Sequence, residues 1–554
     1  MIGVIADPAD HSVVREFFEL FKTPWEFYSA DRKYEAVLSA GDSRNINNAR
    51  VIIYYSGKRL ERDRQDGTEC FSGKSSSKIF LHDGSRIPIY GNALTFTNGK
   101  GSFLIDEESQ TCTAYRDEDQ EPVVVRVGYD LFQETLALLT VGQPAANAII
   151  PALDLHIALL RDIITGCGVS LVEIPPVPAG YGCIACLTHD VDHPSIRRHR
   201  WDHTMFGFVY RAIFGSLIDL ARGRIRARDL FVNWAAALKL PFVYLGLATD
   251  FWCNFDDAYL RLENGVPSTF FVIPFKARPG KTANGSAPSI RATGYGAQDI
   301  ADSIEKLTAA GCEVGLHGID AWTDVSKGRE EFAEIRRVTG SPQVGVRMHW
   351  LYSDRNSPAR LETAGAEYDS TSGYNETVGY RAGTTQVFKP LDTTQMLELP
   401  LHAMDTALFY PSYLGLSERD AEKLIGQLVD NACRLGGTIT VNWHDRSLAP
   451  ERLWGGCYSS LIKDLKKRDA WFATGEQAVA WFQKRRTASF VANSTVRGGS
   501  SPKILPRPGD ELPALRLRVH LARTMVASGK HDSNRYVDSL VDSFLSTTVT
   551  ETAQ

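Results

Sequence analysis

Residues 183–194 read Cys183-Ile-Ala-Cys-Leu-Thr188-His-Asp190-Val-Asp192-His-Pro194, an apolar run that ends in a cluster of ionisable side chains. The run has the length and composition of a buried β-strand. Asp190 and Asp192 stand two residues apart, so on extended backbone their side chains point the same way. Two carboxylates held close repel, and a divalent cation beside them removes that cost; the alternative for such a loop is a surface cluster of Asx turns. Cys183 and Cys186 have redox-like spacing, but inside an apolar strand they read as packing.

Outward from this strand, strand-like runs alternate with helix-like ones. Further strands are expected at Ser268–Ile273, Cys312–Leu316, Val344–Trp350, Glu367–Thr371, Leu397–Leu401 and Thr438–Trp443, with an eighth at Trp471–Ala473. The pattern predicts an α/β protein with a distorted (β/α)7-8 barrel over residues 180–485, an open doubly wound sheet being the alternative. Barrel active sites are built at the C-terminal strand ends, and polar residues gather there. His317 and Asp320 follow the third strand. Arg347 and His349 share one face of the fourth by the period of two, and His444 follows the seventh. A guanidinium can hold a carboxylate bidentately, while imidazoles suit metal binding or proton transfer near neutral pH.

These motifs resemble those of polysaccharide deacetylases of the NodB-homology class, over roughly residues 180–485. Thr188 to Asp192 looks like the family's first motif, with a catalytic-base Asp and a metal-binding Asp one residue apart. Ser268-Thr-Phe-Phe271 is similar to the next barrel strand, His317 to the first His of the second motif, Arg347 to the third-motif Arg, and His444 to the terminal His. The family's second His would fall at position 321, which is alanine. A subgroup that lacks it carries a His two residues after the motif Arg, as His349 stands here. Tyr368–Tyr374 and Val378–Gly383 are similar to that subgroup too.

The resemblance implies a metal-dependent hydrolase that removes acetyl groups from N- or O-acetylated sugars. Its divalent ion, zinc with cobalt or nickel as alternatives, would be held by Asp192, His317 and His349, with Asp320 as substitute ligand. Asp190 would be the base, His444 the acid that protonates the departing amine, and Arg347 the residue that orients Asp190. Asp320, Trp322, Trp350, Tyr374, Arg381, Asp405 and Trp443 are the expected substrate-side residues, with Asp405 supporting the site from behind the catalytic groups, and a groove lined with these tryptophans would favour sugars. Hydrolysis of a small non-peptide amide, and a non-catalytic carbohydrate-binding or scaffold protein on the same barrel, are the alternatives.

The rest of the chain sets bounds. With 554 residues, 43% hydrophobic and 23% charged, it exceeds one core and predicts several domains. A formal charge of −5, without a long Lys/Arg block, argues against nucleic acid. Residues 1–125 read as an N-terminal α/β accessory domain, with Asp83-Gly84 and Asn98-Gly99 as hairpin turns. Residues 126–179 read as a helical connector in which Leu153, Ile157, Leu160 and Ile164 share a face and His156 is a packing residue. Residues 193–267 are an insertion rich in Arg, Trp and Phe, with a helical segment at 230–255. Residues 486–554 read as a largely irregular tail containing one helix at Leu512–Ala527. The start of the chain reads as a strand with no signal peptide, and the uncharged run Thr135–Leu153 is broken by Gly142, Pro144 and Pro151, so no transmembrane segment is expected. Nine unevenly spaced cysteines fit reduced thiols and a cytoplasmic address.

Overall fold

The computed structural model describes residues 1–43, 46–72, 78–97, 101–118, 120–282, 284–492, 500–503, 512–523 and 536–540. It divides into two compact units, one of residues 1–180, 382–386 and 481–554, the other of residues 181–381 and 387–480. The segment 126–179 lies inside the first unit and is not a separate connector. Val123–Val127 pairs in parallel with Ala49–Tyr55, and the helix Ala152–Gly166 buries Asp154. The Asp154 carboxylate accepts 2.6 Å and 2.8 Å bonds from the hydroxyls of Thr384 and Thr385, which ties residues 382–386 to this unit.

The first unit is α/β. Parallel strands Trp25–Phe27, Ile2–Ile5, Tyr34–Ser39, Ala49–Tyr55 and Val123–Val127 continue into antiparallel strands Cys112–Asp117, Ser102–Asp106, Lys78–His82 and Ser85–Ile89. Asp83 and Gly84, both at positive φ, make the expected tight turn. The turn expected at Asn98-Gly99 lies outside the described residues. The helix expected at Leu512–Ala527 is not formed over its described part. Arg516–His520 is instead a strand paired with Leu171–Glu173 and Tyr536–Leu540. Leu515 and Leu517 are buried while Arg516 and Arg518 bond Asp538, an alternation of period two that overrides helix propensity.

The second unit is a curled parallel sheet wrapped by helices. In spatial order its strands are Leu397–Glu398, Tyr368–Asp369, Val346–Met348, Glu313–Gly318, Thr269–Val272, Ile184–Val191, Thr438–Asn442 and Ala403–Met404, with Trp471–Phe472 beside Ile184–Val191. All these pairs are parallel. Every residue of Ile184–Val191 is buried, which explains why Ile184–Leu187 is apolar throughout instead of alternating. Several strands are shorter than the sequence suggests, most clearly Val346–Met348, because His349–Leu351 turns away with Trp350 and Leu351 at positive φ. The two outermost strands belong to one stretch of chain. Between them Leu401 donates to Ser372 O and His402 to Thr440 O, so residues 397–404 span from one end of the sheet to the other.

The insertion folds into helices His203–Tyr210, Ser216–Ala221, Ala227–Tyr244 and Phe255–Glu263. A π-helical turn, Arg211–Gly215, joins the first two. The first and third helices and the π-helical turn pack on a small core that includes Phe208, Ala212, Ala236, Leu240 and Trp252. His203–Ala221 is long and apolar enough, by length and composition, to cross a membrane. The sequence expectation had weighed only Thr135–Leu153, which the structure divides between the helices Leu131–Thr140 and Ala152–Gly166.

Candidate metal centre

The strand Ile184–Val191 carries Asp190 on its last turn into the loop, and the bend at its end brings Asp192 to the same mouth. Asp190 is clamped on both oxygens. Arg347 Nη1 donates to Oδ1 at 3.0 Å and Asn442 Nδ2 to Oδ2 at 2.8 Å. Arg347 is itself fixed. It donates from Nη1 to Thr188 Oγ1 at 2.7 Å and from Nε to Ser370 O at 3.0 Å, and lies 4.5 Å over the Phe271 ring. Charge-assisted donors hold a carboxylate in one orientation.

Asp192, His317 and His349 each offer one ligand atom, and these atoms all lie within 4.8 Å of one another. His317 Nε2 is 3.3 Å and His349 Nε2 3.6 Å from Asp192 Oδ1. His317 Nδ1 donates to the Arg347 carbonyl at 2.9 Å, which leaves Nε2 as the lone-pair nitrogen. Among the described residues, buried Asp192 Oδ1 and His349 Nδ1 have no hydrogen-bond partner. Burial works against the Asp192 carboxylate, yet the imidazoles of His349, His317 and His444 hold it well below the usual carboxylate range. Burial pushes His349 well below the usual histidine range despite Asp192, so its ring is neutral. Two imidazoles, one carboxylate and orphaned polar atoms fit a zinc-type ion with an open position.

His444 faces the centre from the seventh strand. Its Nε2 is 3.8 Å from Asp192 Oδ2, and its Nδ1 donates to Asp405 Oδ1 at 2.6 Å. Burial opposes the imidazolium, but Asp405, then Asp192 and Asp190, outweigh it and raise the pKa to about 10. Asp405 is fully buried and also accepts from the His444 N–H and the Ser447 hydroxyl.

Several expected residues fall elsewhere. Asp320 is not a ligand, because its oxygens accept from Lys281 N at 3.0 Å and Lys327 Nζ at 2.9 Å. Asp405 is enclosed and holds His444, so it cannot line a substrate groove. Trp322 and Trp443 belong to the hydrophobic core. Trp443 donates to Trp454 O and packs on Tyr458. Trp350 is 38% exposed, with its ring centroid 5.8 Å from that of His349, and keeps its place at the mouth. Tyr374 is buried and Arg381 exposed, with the guanidinium 5.4 Å over the Tyr374 ring. Cys183 and Cys186 are buried free thiols.

Ala321 explains the missing second histidine. It is fully buried, and a Cβ added at neighbouring Gly328 would meet its Cβ at 3.2 Å, so the helix Val325–Thr339 leaves no room there for an imidazole. Sequence reasoning missed three supports. Asn442 could have been found by parity, two residues before His444 at the end of the strand that leads to it. Ser370 and Arg291 had no local signal. Arg291, fully buried, donates to the His349 carbonyl at 2.8 Å and to Ile319 O at 3.2 Å, fixing the turn that presents His349.

No protein-family model matches the chain, and no curated protein does. Among solved structures it is similar to the carbohydrate deacetylase Agd3, with 10% identity over 94% of this chain and 91% of that one, at a TM-score of 0.34. It is also similar to Puue allantoinase, with 14% identity over 56% and 94% and a TM-score of 0.34. The peptidoglycan deacetylase PdaC from Bacillus subtilis gives 12% identity over 55% and 93% and a TM-score of 0.25. Likeness at these identities and TM-scores carries no argument about activity, for which the side-chain geometry must answer.

Proposed function

We propose that the chain is a metal-dependent hydrolase that removes acetyl groups from N- or O-acetylated sugars. The observation that carries this reading is the grouping of Asp192, His317 and His349 within ligand distance, flanked by a clamped carboxylate and an acid-paired imidazole. A divalent ion held there would act as a Lewis acid toward a carbonyl and acidify a bound water. Asp190, held by Arg347 and Asn442, takes a proton from the attacking water. Its fixed orientation means that no reorganisation accompanies the transfer. His444, oriented through Nδ1 by Asp405, presents protonated Nε2 to the departing amine or alkoxide. Trp350 offers an exposed aromatic face beside His349 for a sugar ring.

The sugar class follows from the motif resemblance at Thr188–Asp192, His317, Arg347 and His444. Acetate release from N-acetylated oligosaccharides, with zinc, cobalt or nickel added, tests the reading. Wild-type protein is expected to release acetate, and Asp190→Asn and His444→Ala to lose it. Equal release from all three would overturn the assigned roles.

A further inference from the structure

Three arginines converge on Tyr410 beside His444. Arg446 and Arg452 follow His444 in the chain and are 8% and 6% exposed. Arg211 opens the π-helical turn of the insertion, and π turns are rare and frequent at functional sites. Arg452 donates to the Tyr410 hydroxyl, and its guanidinium lies 5.3 Å from that ring and 5.0 Å from the Trp454 ring. Arg446 lies 4.7 Å over Trp252. Burial raises the Tyr410 pKa, but the charges of Arg452, Arg446, Arg211 and His444 together outweigh it and lower it.

These guanidiniums are under-satisfied. Nε of Arg211, Nε and Nη1 of Arg446, and Nε and Nη1 of Arg452 are buried without a hydrogen-bond partner among the described residues. The nearby carboxylates act on these charges without bonding them: Asp445 and Glu451 favour the charged form of Arg446 and, with Asp405, that of Arg452. Asp445 Oδ2 accepts from His193 N and Glu451 Oε2 from Trp252 Nε1. Buried like charges with unpaired donors are costly, and a bound oxyanion relieves both the repulsion and the missing bonds.

We propose that Arg211, Arg446, Arg452 and Tyr410 form a subsite for a carboxylate or phosphate carried by the substrate. The placement next to His444 rests on the hydrolase reading; the anion site itself does not. Calorimetric titration of the metal-loaded full chain with inorganic phosphate is expected to show one site, weakened about ten-fold or more by Arg446→Gln, with Tyr410→Phe as a milder variant that keeps the buried charges. Acetate release should favour N-acetylated sugars bearing a carboxylate or a phosphate over neutral ones, the better of the two identifying the anion, and Arg446→Gln should reduce that preference. Phosphate that fails to bind, or binds Arg446→Gln as well as wild type, overturns the proposal. Phosphate binding that depends on the arginines, with no sugar hydrolysed, would uphold the subsite and sink the hydrolase reading.

A separate observation concerns the outer face of the insertion. Phe206, Tyr210 and Phe214 recur every four residues on one helical run, and Phe231, Leu238 and Phe242 are spaced seven and four apart on the other, all exposed, Leu238 at 76%. Their opposite faces are spent on the small core that holds Phe208, Ala236 and Leu240, so the run cannot offer a full apolar circumference to a bilayer. The turn between the helices carries exposed Arg222, Arg224, Arg226 and Arg228; Arg224 pairs with Asp219 at 3.6 Å, Arg228 with Asp229 at 3.4 Å, and Glu418 lies near Arg226, which leaves a net basic cluster. Apolar side chains beside a basic cluster fit an anionic lipid surface, with the helices lying in the headgroup layer.

We infer that this face docks on anionic bilayers. The full chain should float with phosphatidylcholine vesicles only when phosphatidylglycerol is included. Phe231→Ser/Leu238→Ser/Phe242→Ser should weaken binding about ten-fold or more with an unchanged melting temperature, and added salt should weaken the wild type. Absence of flotation, or self-association that the serine variant abolishes without any vesicle binding, would overturn it.

Discussion

His156 in the first unit and His349 in the second are both buried, and each keeps one ring nitrogen without a hydrogen-bond partner among the described residues. What differs is the company. His156 Nδ1 meets the Tyr129 hydroxyl at 3.0 Å, and burial alone lowers its pKa to about 3. His349 faces Asp192, and its ring centroid lies 5.0 Å from that of His317. Both rings are neutral, yet only one has a carboxylate and a second imidazole within reach of a shared ion. Burial of a histidine therefore says little about chemistry, and the number of other donors converging on it decides.

The largest effects should separate these two histidines. His317→Ala or His349→Ala is expected to reduce bound zinc from stoichiometric to near zero, by mass spectrometry, and to abolish acetate release. His156→Gln should retain both, and loss of zinc from His156→Gln would break the contrast. Asp190→Asn should keep the metal but slow acetate release by about 10²–10⁴-fold, the range typical of a lost general base; metal loss in this variant would make Asp190 a ligand instead. Ala321→His should fail to strengthen zinc binding and should destabilise the protein by about 1–3 kcal/mol through overpacking against the helix Val325–Thr339, read as a lowered melting temperature.

The smallest effect concerns His156 itself. Its folded pKa of about 3 lies below the ordinary histidine value of 6.5. Below that value the unfolded chain takes up a proton that the native state refuses, so stability falls as pH drops through the window from 6.5 toward 3. Glu134, with its pKa raised to about 7 chiefly by burial, acts in the opposite sense, so the difference between wild type and variant is the quantity to read. Urea unfolding at pH 7 and pH 5 should show wild type losing about 2 kcal/mol more than His156→Gln. Equal losses would mean that the ring is protonated in the folded protein.

The strand-end residues were legible because a period of two is local: Asp190 with Asp192, and Arg347 two residues before His349. The same parity corrects the tryptophans. Trp443 sits between Asn442 and His444 and so points away from them into the core, where it is fully buried. The donors that fix the site were not legible, since Ser370 and Arg291 reach it across 23 and 58 residues of sequence respectively. Nor could local pattern assign residues 382–386 to the first unit, because that follows from the buried carboxylate of Asp154. The strand at Arg516–His520 was misread for a related reason: a short alternation of Leu and Arg suits either period until its pairing partners are known.

Residues 397–404 connect the two outermost strands of the curled sheet, and Asp405, the anchor of His444, comes next in the chain. The two ends of the curled sheet are thus joined by covalent continuity where neighbouring strands rely on a hydrogen-bonded ladder. A single proteolytic nick within 399–402 would separate those ends and loosen His444 at once, whereas a cut at a helix-connecting loop would leave both in place.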